Sequence, residues 1–143
     1  MLFSVIGSKP ESVEINSICR IQVLAPTVDY GTDAKALHRQ TNQGFADNST
    51  LVKGQGWAIY GFTMMYRETK DKRFLQAAQK AADFYINHPN LPKEKIPYWD
   101  FNAEQKGYTP DFDYNANKLT YIPRDASAAA LVASGLLELS TFS

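Results

Sequence analysis

Gly54-Gln55-Gly56-Trp57-Ala58-Ile59-Tyr60-Gly61-Phe62-Thr63-Met64-Met65-Tyr66-Arg67-Glu68-Thr69 is the stretch that decides the fold class. Trp57, Tyr60 and Met64 recur in it at three- and four-residue steps, and Ile59, Phe62, Met65 and Tyr66 widen the stripe. Side chains at that spacing share one face of an α-helix, so the segment predicts a helix buried over much of its surface. Lys70-Asp71 interrupts the pattern, and Asp71 is placed to cap a second helix by accepting from its free first-turn amides. Phe74, Ala77, Ala78, Ala81, Phe84 and Tyr85 form the apolar face of that helix, while Lys72, Arg73, Gln76, Lys80 and Asp83 form a charged one. Pro89 stops it, with His88 read as a group compatible with the helix C-terminal dipole. The two helices read as an antiparallel hairpin with one buried and one half-exposed member.

Toward the C-terminus, Asp125 is a second capping carboxylate, and Ala128, Leu131, Leu136 and Leu139 follow it at helical spacing. The small residues of this third helix predict close packing. Between Pro89 and Arg124 runs a long connection holding Pro92, Pro97, Pro110 and Pro123 and the aromatic residues Tyr98, Trp99, Phe101, Tyr108, Phe112, Tyr114 and Tyr121. Connections of this length are functional or disordered as a rule. So many rings predict that part of this one folds over an end of the helices. On the N-terminal side, Val13, Ile15, Ile18, Ile21, Val23 and Leu24 follow neither the helical nor the strand period. Ile21 to Tyr30 is predicted to be extended, with Pro26 placing it at an edge, and the polar stretch Gly31 to Ser49 to be a loop leading into the Gly54 helix.

The 143 residues, 44% hydrophobic and 21% charged, have the composition of a globular protein and the length of one domain. Fifteen Lys plus Arg balance fifteen Asp plus Glu. That balance leaves no net field to hold nucleic acid or an anionic membrane, and neither is expected as a partner. Cys19 is the lone cysteine, which excludes an internal disulfide and a multi-cysteine metal site; it reads as a small buried hydrophobe. The apolar run Met1 to Ile6 lacks a basic leader and stops at Gly7-Ser8-Lys9-Pro10, too short for an export signal or a membrane span. The compartment stays open between cytoplasm and periplasm. His38 and His88 have no ligand-spaced neighbours, and Gly54-Gln55-Gly56 lacks the further glycine and lysine of a phosphate loop, so neither a metal nor another cofactor is expected.

The densest chemical signal is Thr41-Asn42-Gln43-Gly44-Phe45-Ala46-Asp47-Asn48-Ser49, followed closely by Lys53-Gly54-Gln55-Gly56-Trp57. Amide, carboxylate, hydroxyl, ammonium and indole groups converge on one loop and one helix start. Sugar sites are furnished in this way, with polar groups for the hydroxyls and a flat ring for the sugar face. The plainer reading of the same residues is a turn followed by a buried tryptophan.

At these residues the chain resembles glycoside hydrolase family 88, the unsaturated glucuronyl hydrolases. The resemblance rests on Gln43-Gly44, Asp47 to Trp57, Ile59-Tyr60-Gly61, Tyr98-Trp99-Asp100-Phe101 and Arg124-Asp125-Ala126-Ser127-Ala128-Ala129-Ala130. It covers roughly Thr27 to Leu139 and leaves residues 1–21 unassigned. It implies an all-α fold, an (α/α)-barrel of six helical hairpins, with residues 1–143 a single partial domain from the C-terminal portion of the barrel. It also implies an oligosaccharide substrate, released by a polysaccharide lyase, with an unsaturated uronic acid at its non-reducing end. In the implied reaction an aspartic acid protonates the C4=C5 bond, water adds at C5, and the resulting hemiketal opens to release the sugar.

The family's two catalytic aspartates lie upstream of the matched region, so no catalytic residue is assigned here; Asp29, Asp33, Asp47, Asp100 and Asp125 do not align with them. Gln43 and Trp57 fall on positions that line the family's sugar site, implying polar contact and ring packing. Asn42 stands where the family has histidine, Leu51 where it has tryptophan and Lys53 where it has arginine. Lysine replaces a planar fork by a point charge, which weakens bidentate recognition of a carboxylate. The connection from Glu104 to Ile122 is longer than the family's. Two readings follow: part of a family 88 hydrolase, or a non-catalytic sugar-binding or helical interaction module. In either, an incomplete barrel leaves an apolar flank exposed and open to self-association.

Overall fold

The computed structural model of the chain describes residues 27–40, 43–110 and 118–142. The expectations for Cys19, the N-terminal apolar run, Ile21 to Pro26, Asn42, Phe112 and Tyr114 lie outside the described residues. Among the described residues three helices carry the body: α1 (Val52–Thr69), α2 (Lys72–Ile86) and α3 (Ala126–Leu139), the last continued by a 3-10 turn at Ser140–Phe142. All three sit where periodicity and caps predict them. α1 ends because Lys70 turns left-handed, at φ 57°, and donates its N–H to the Tyr66 carbonyl at 2.8 Å. Asp71 then caps α2 by accepting from the Arg73 N–H at 2.9 Å, and Asp125 caps α3 by accepting from the Ala128 N–H at 2.9 Å.

The C-terminus of α2 differs from expectation. Asn87 caps it, donating from its side-chain amide to the Asp83 carbonyl at 3.0 Å. His88 instead lies flat on Phe101, with ring centroids 4.0 Å apart and planes 10° apart, and its Nδ1 accepts from the Asn90 N–H at 3.2 Å. Burial holds the imidazole below its ordinary 6.5, with the nearby Asp100 carboxylate opposing the shift. A ring kept neutral in this way is no cation for a helix dipole.

α2 runs antiparallel to both other helices. α1 and α3 lie side by side, their far ends joined by an Arg67–Glu138 ion pair at 2.8 Å and by an edge contact of Tyr66 on Phe142. Glycines set how closely they approach. A Cβ on Gly56 would stand 3.2 Å from side-chain atoms of Leu131 and Val132, and one on Gly135 would stand 3.1 Å from the Tyr60 backbone. The close packing expected of the third helix is therefore present. It also redirects α1. Because α3 enters at Gly56, the buried row is Val52, Gly56, Ile59 and Thr63, and Trp57 on the neighbouring row is left 57% exposed. The core gathers Val52, Ile59, Ala78, Ala82, Tyr85, Phe101 and Val132 from all three helices and the long connection.

Gly31 to Ser49 is not wholly a loop. β1 (Thr27–Tyr30), within the predicted extended segment, pairs antiparallel with β2 (Ala36–Gln40), with Thr27 opposite Gln40 and an irregularity between Asp29 and Tyr30. The connecting turn closes through the Gly31 N–H on the Lys35 carbonyl at 2.9 Å, with Ala34 left-handed at φ 61°. This small hairpin is an addition to a body that, among the described residues, is one helical hairpin and a further helix.

Candidate functional site

The starts of α1 and α3 lie at the same end of the molecule, and one segment of the long connection ties them together. The Asp125 N–H donates to the Pro97 carbonyl at 2.9 Å and the Trp99 N–H to Pro123 at 3.0 Å. The Phe101 N–H reaches the Thr50 carbonyl at 3.0 Å, and the Val52 N–H reaches the Trp99 carbonyl at 3.4 Å. So part of the aromatic connection does fold over one end of the helices. On its outer side Arg124 lies over the Tyr98 ring, 4.3 Å from the centroid, and donates to the Ile96 carbonyl at 2.8 Å.

Asp100 is the centre of this tie. Its side chain is 1% exposed, and a buried carboxylate persists only when its oxygens are satisfied. Oδ2 accepts from the Phe45 N–H at 2.9 Å and the Ser49 hydroxyl at 2.7 Å, and Oδ1 accepts from the Asn102 N–H at 2.8 Å. Asn102 in turn accepts from the Thr50 N–H at 2.9 Å. These bonds hang the Gln43–Ser49 loop on the connection and bring it to the first turn of α1.

That end holds three of the four residues expected to contact sugar; the fourth, Asn42, is not among the described residues. Gln43 is exposed at the start of the hung loop. Lys53 and Trp57 stand one turn apart on the same open face of α1. The Trp57 ring meets Tyr60 edge-on at 6.3 Å between centroids, which leaves its indole as an open platform and excludes the plainer reading of a buried tryptophan. Lys53 pairs with the α3 cap, its Nζ 3.4 Å from Asp125 Oδ2. Asp125 is held below the usual carboxylate range although burial opposes this, because Ser127, the Ala128 amide and Lys53 all favour its charged form. Leu51 is half-buried and bridges by backbone to Asp100.

Beside the hung loop opens a cleft of about 250 Å³ lined by Trp99, Ala103, Glu104, Thr120, Tyr121 and Ile122, among others. Among the described residues, the sugar-contact candidates Gln43, Lys53 and Trp57 do not line it. Its inner wall rests on the small cluster of Phe45, Ala46 and Ala103. Among the described residues no group of His, Cys, Asp or Glu could hold a metal ion, and no helix is long and apolar enough to cross a membrane.

Comparison with known proteins places this arrangement. No family model matches the chain. The unsaturated glucuronyl hydrolase of Formosa agariphila is 46% identical over 104 residues, which are 73% of this chain and 23% of that protein. The crystal structure of an unsaturated glucuronyl hydrolase specific for heparin superposes with a TM-score of 0.65 at 44% identity, covering 81% of this chain and 28% of that one. A mutant of the Streptococcus agalactiae unsaturated glucuronyl hydrolase, complexed with dGlcA-GalNAc6S, superposes at 0.56 with 28% identity, covering 80% and 26%. The chain is homologous to a stretch of the unsaturated glucuronyl hydrolases. It spans about a quarter of the length of the curated family 88 relatives it matches.

The α/α-barrel fold of these hydrolases accounts for the parallel pair α1 and α3 with α2 antiparallel between them in sequence. Two features escaped the sequence. Asp100 gave a signal only as part of Tyr98-Trp99-Asp100-Phe101, because the loop groups it binds lie 55 and 51 residues away along the chain. The cleft gave none beyond the density of aromatic residues in the long connection.

Proposed function

We propose that this chain supplies part of the sugar-holding end of an unsaturated glucuronyl hydrolase, acting on unsaturated uronyl oligosaccharides made by polysaccharide lyases. The observation that carries this reading is the 46% identity over 104 residues to a protein of that activity. The clustering of Gln43, Lys53 and Trp57 at the starts of α1 and α3 supports it. Trp57 would pack on the face of the uronate ring, Gln43 would hydrogen-bond its hydroxyls, and Asn42 adjoins Gln43 in the sequence. The Lys53 ammonium would meet the carboxylate as a point charge shared with Asp125, a weaker grip than an arginine fork gives.

The chemistry of the reading is hydration. A carboxylic acid delivers a proton to C4 of the C4=C5 bond, and water activated by a carboxylate adds at C5. The hemiketal so formed opens and the sugar leaves. Two carboxylates of this chain at the site are committed elsewhere: Asp100 to three hydrogen bonds and Asp125 to a helix cap and Lys53. That commitment favours a chain that holds sugar without the catalytic aspartate pair, and it equally favours the second reading, a non-catalytic sugar-binding or helical module. In both readings the chain is a partial domain from the C-terminal portion of the barrel. Exposed apolar side chains on α1 and α3, Trp57 at 57% and Leu137 at 73%, favour self-association, visible in light scattering as a mass above the monomer.

Loss of the ultraviolet band of the double bond is the test of chemistry. The purified chain with unsaturated uronyl disaccharide should bind the sugar in calorimetry and leave the band unchanged. Loss of the band with the chain alone would overturn the assignment of catalysis to other residues. Absence of binding would overturn both readings for this substrate.

A further inference from the structure

We propose that Asp125 is a specificity-determining residue: its carboxylate and the carboxylate of the sugar compete for the Lys53 ammonium, so Asp125 sets how strongly this end prefers a charged sugar to a neutral one. This deepens the uronyl reading above and rests on it. Lys53 is the second residue of α1 and Asp125 caps α3, so their ion pair joins two helix starts at the same end of the molecule. The first turn of α1 carries no acidic residue, and the charge that offsets Lys53 comes from α3.

The two oxygens of Asp125 have separate work. Oδ1 makes the helix cap, accepting from the Ala128 N–H at 2.9 Å and the Ser127 hydroxyl at 2.6 Å. Oδ2 faces the Lys53 Nζ at 3.4 Å, longer than the roughly 2.7–2.9 Å of a tight charge-assisted hydrogen bond. The cap therefore holds the carboxylate in place whether or not Lys53 stays on it. The side chain of Lys53 is 46% exposed and that of Asp125 15%, so the ammonium is the open partner, on a flexible stem, and the carboxylate is the fixed one. Asp125 is held below the usual carboxylate range, so it is charged at neutral pH. An ammonium has three donors, and a carboxylate arriving from the open side can take those that Asp125 does not. That carboxylate then shares one cation with Asp125 and is repelled by it, whereas an uncharged group feels neither effect. Discrimination is thus set by a built-in rival as well as by the attracting charge.

Calorimetric titration with two ligands tests this: the unsaturated uronyl disaccharide and its methyl ester, which keeps both rings and removes the charge. Asp125→Asn keeps an oxygen for the Ser127 and Ala128 bonds and remains a good N-cap, so α3 is retained while the competing charge is lost. The acid should bind Asp125→Asn about tenfold more tightly than the parent at low salt, the ester should change far less, and added salt should shrink the difference. Lys53→Met removes what the two carboxylates compete for, and in that background Asp125→Asn should improve binding of the acid by about twofold at most. An acid-to-ester preference that Asp125→Asn leaves unchanged or lowers, or an equal gain in both backgrounds, would overturn the competition while leaving the uronate reading standing. If neither ligand binds, the uronate reading fails and the competition fails with it.

Discussion

Asp100 shows how a single buried carboxylate can organise one end of a fold. Its two oxygens collect one side-chain and two backbone donors, and through them it fixes the loop that presents Gln43. Removing it leaves those donors buried and unpaired, at a cost near 1–3 kcal/mol for each that water cannot reach. Asp100→Ala should therefore lose about 3 kcal/mol or more in denaturant unfolding; a change within about 0.5 kcal/mol would show that the loop is held by other means. His88 makes a second prediction. Its pKa is lowered in the fold, so the neutral ring is the favoured form, and the stability it contributes is present above its unfolded value of 6.5 and lost as pH falls through the lower folded value. Thermal melts should drop on acidification through that window, and His88→Phe, which keeps the ring on Phe101, should flatten the drop. An equal drop in both proteins would assign it to other groups. Neither role was legible beforehand, because Asp100 and His88 act on partners brought in by the fold, whereas Asp71 and Asp125 act on amides two and three residues away.

Helices were legible as elements because period, caps and stops agree along one stretch of chain. β2 was not, since Ala36-Leu37-His38-Arg39-Gln40 shows no clean alternation and takes its strand form by pairing with β1. The orientation of α1 was read one row away from the buried one, because the sequence shows a broad apolar stripe and the glycine that admits α3 decides which part of it is covered. Two glycine substitutions separate the causes. Gly135→Ala drives a methyl to 3.1 Å from the Tyr60 backbone, which cannot yield as a side chain can, and should cost about 1–3 kcal/mol. Gly61→Ala meets nothing within 4 Å on the same pair of helices, and should stabilise by up to about 1 kcal/mol through helix propensity. Equal effects of the two, measured by chemical denaturation, would remove close approach as the reason for the α1–α3 contact.

At the scale of the molecule, the described residues form a helical hairpin and a further helix, covered at one end by an aromatic connection and preceded along the chain by a small β-hairpin. That connection joins the starts of α1 and α3 and carries both the hung loop and the cleft. The candidate site was legible in outline, as polar groups converging with Trp57 on one helix start, and the cleft beside the hung loop was not, because Trp99, Glu104 and Tyr121 meet only once the connection has folded. The central claim is that this end holds an unsaturated uronyl sugar. It is tested most directly by recording amide and indole NMR spectra of the chain while adding an unsaturated uronyl disaccharide. The account predicts shifts that saturate together at the Gln43–Ser49 amides, at Lys53 and at the Trp57 indole. Shifts confined to the far end, around Arg67, Glu138 and Phe142, or spectra unchanged at saturating sugar, would contradict it.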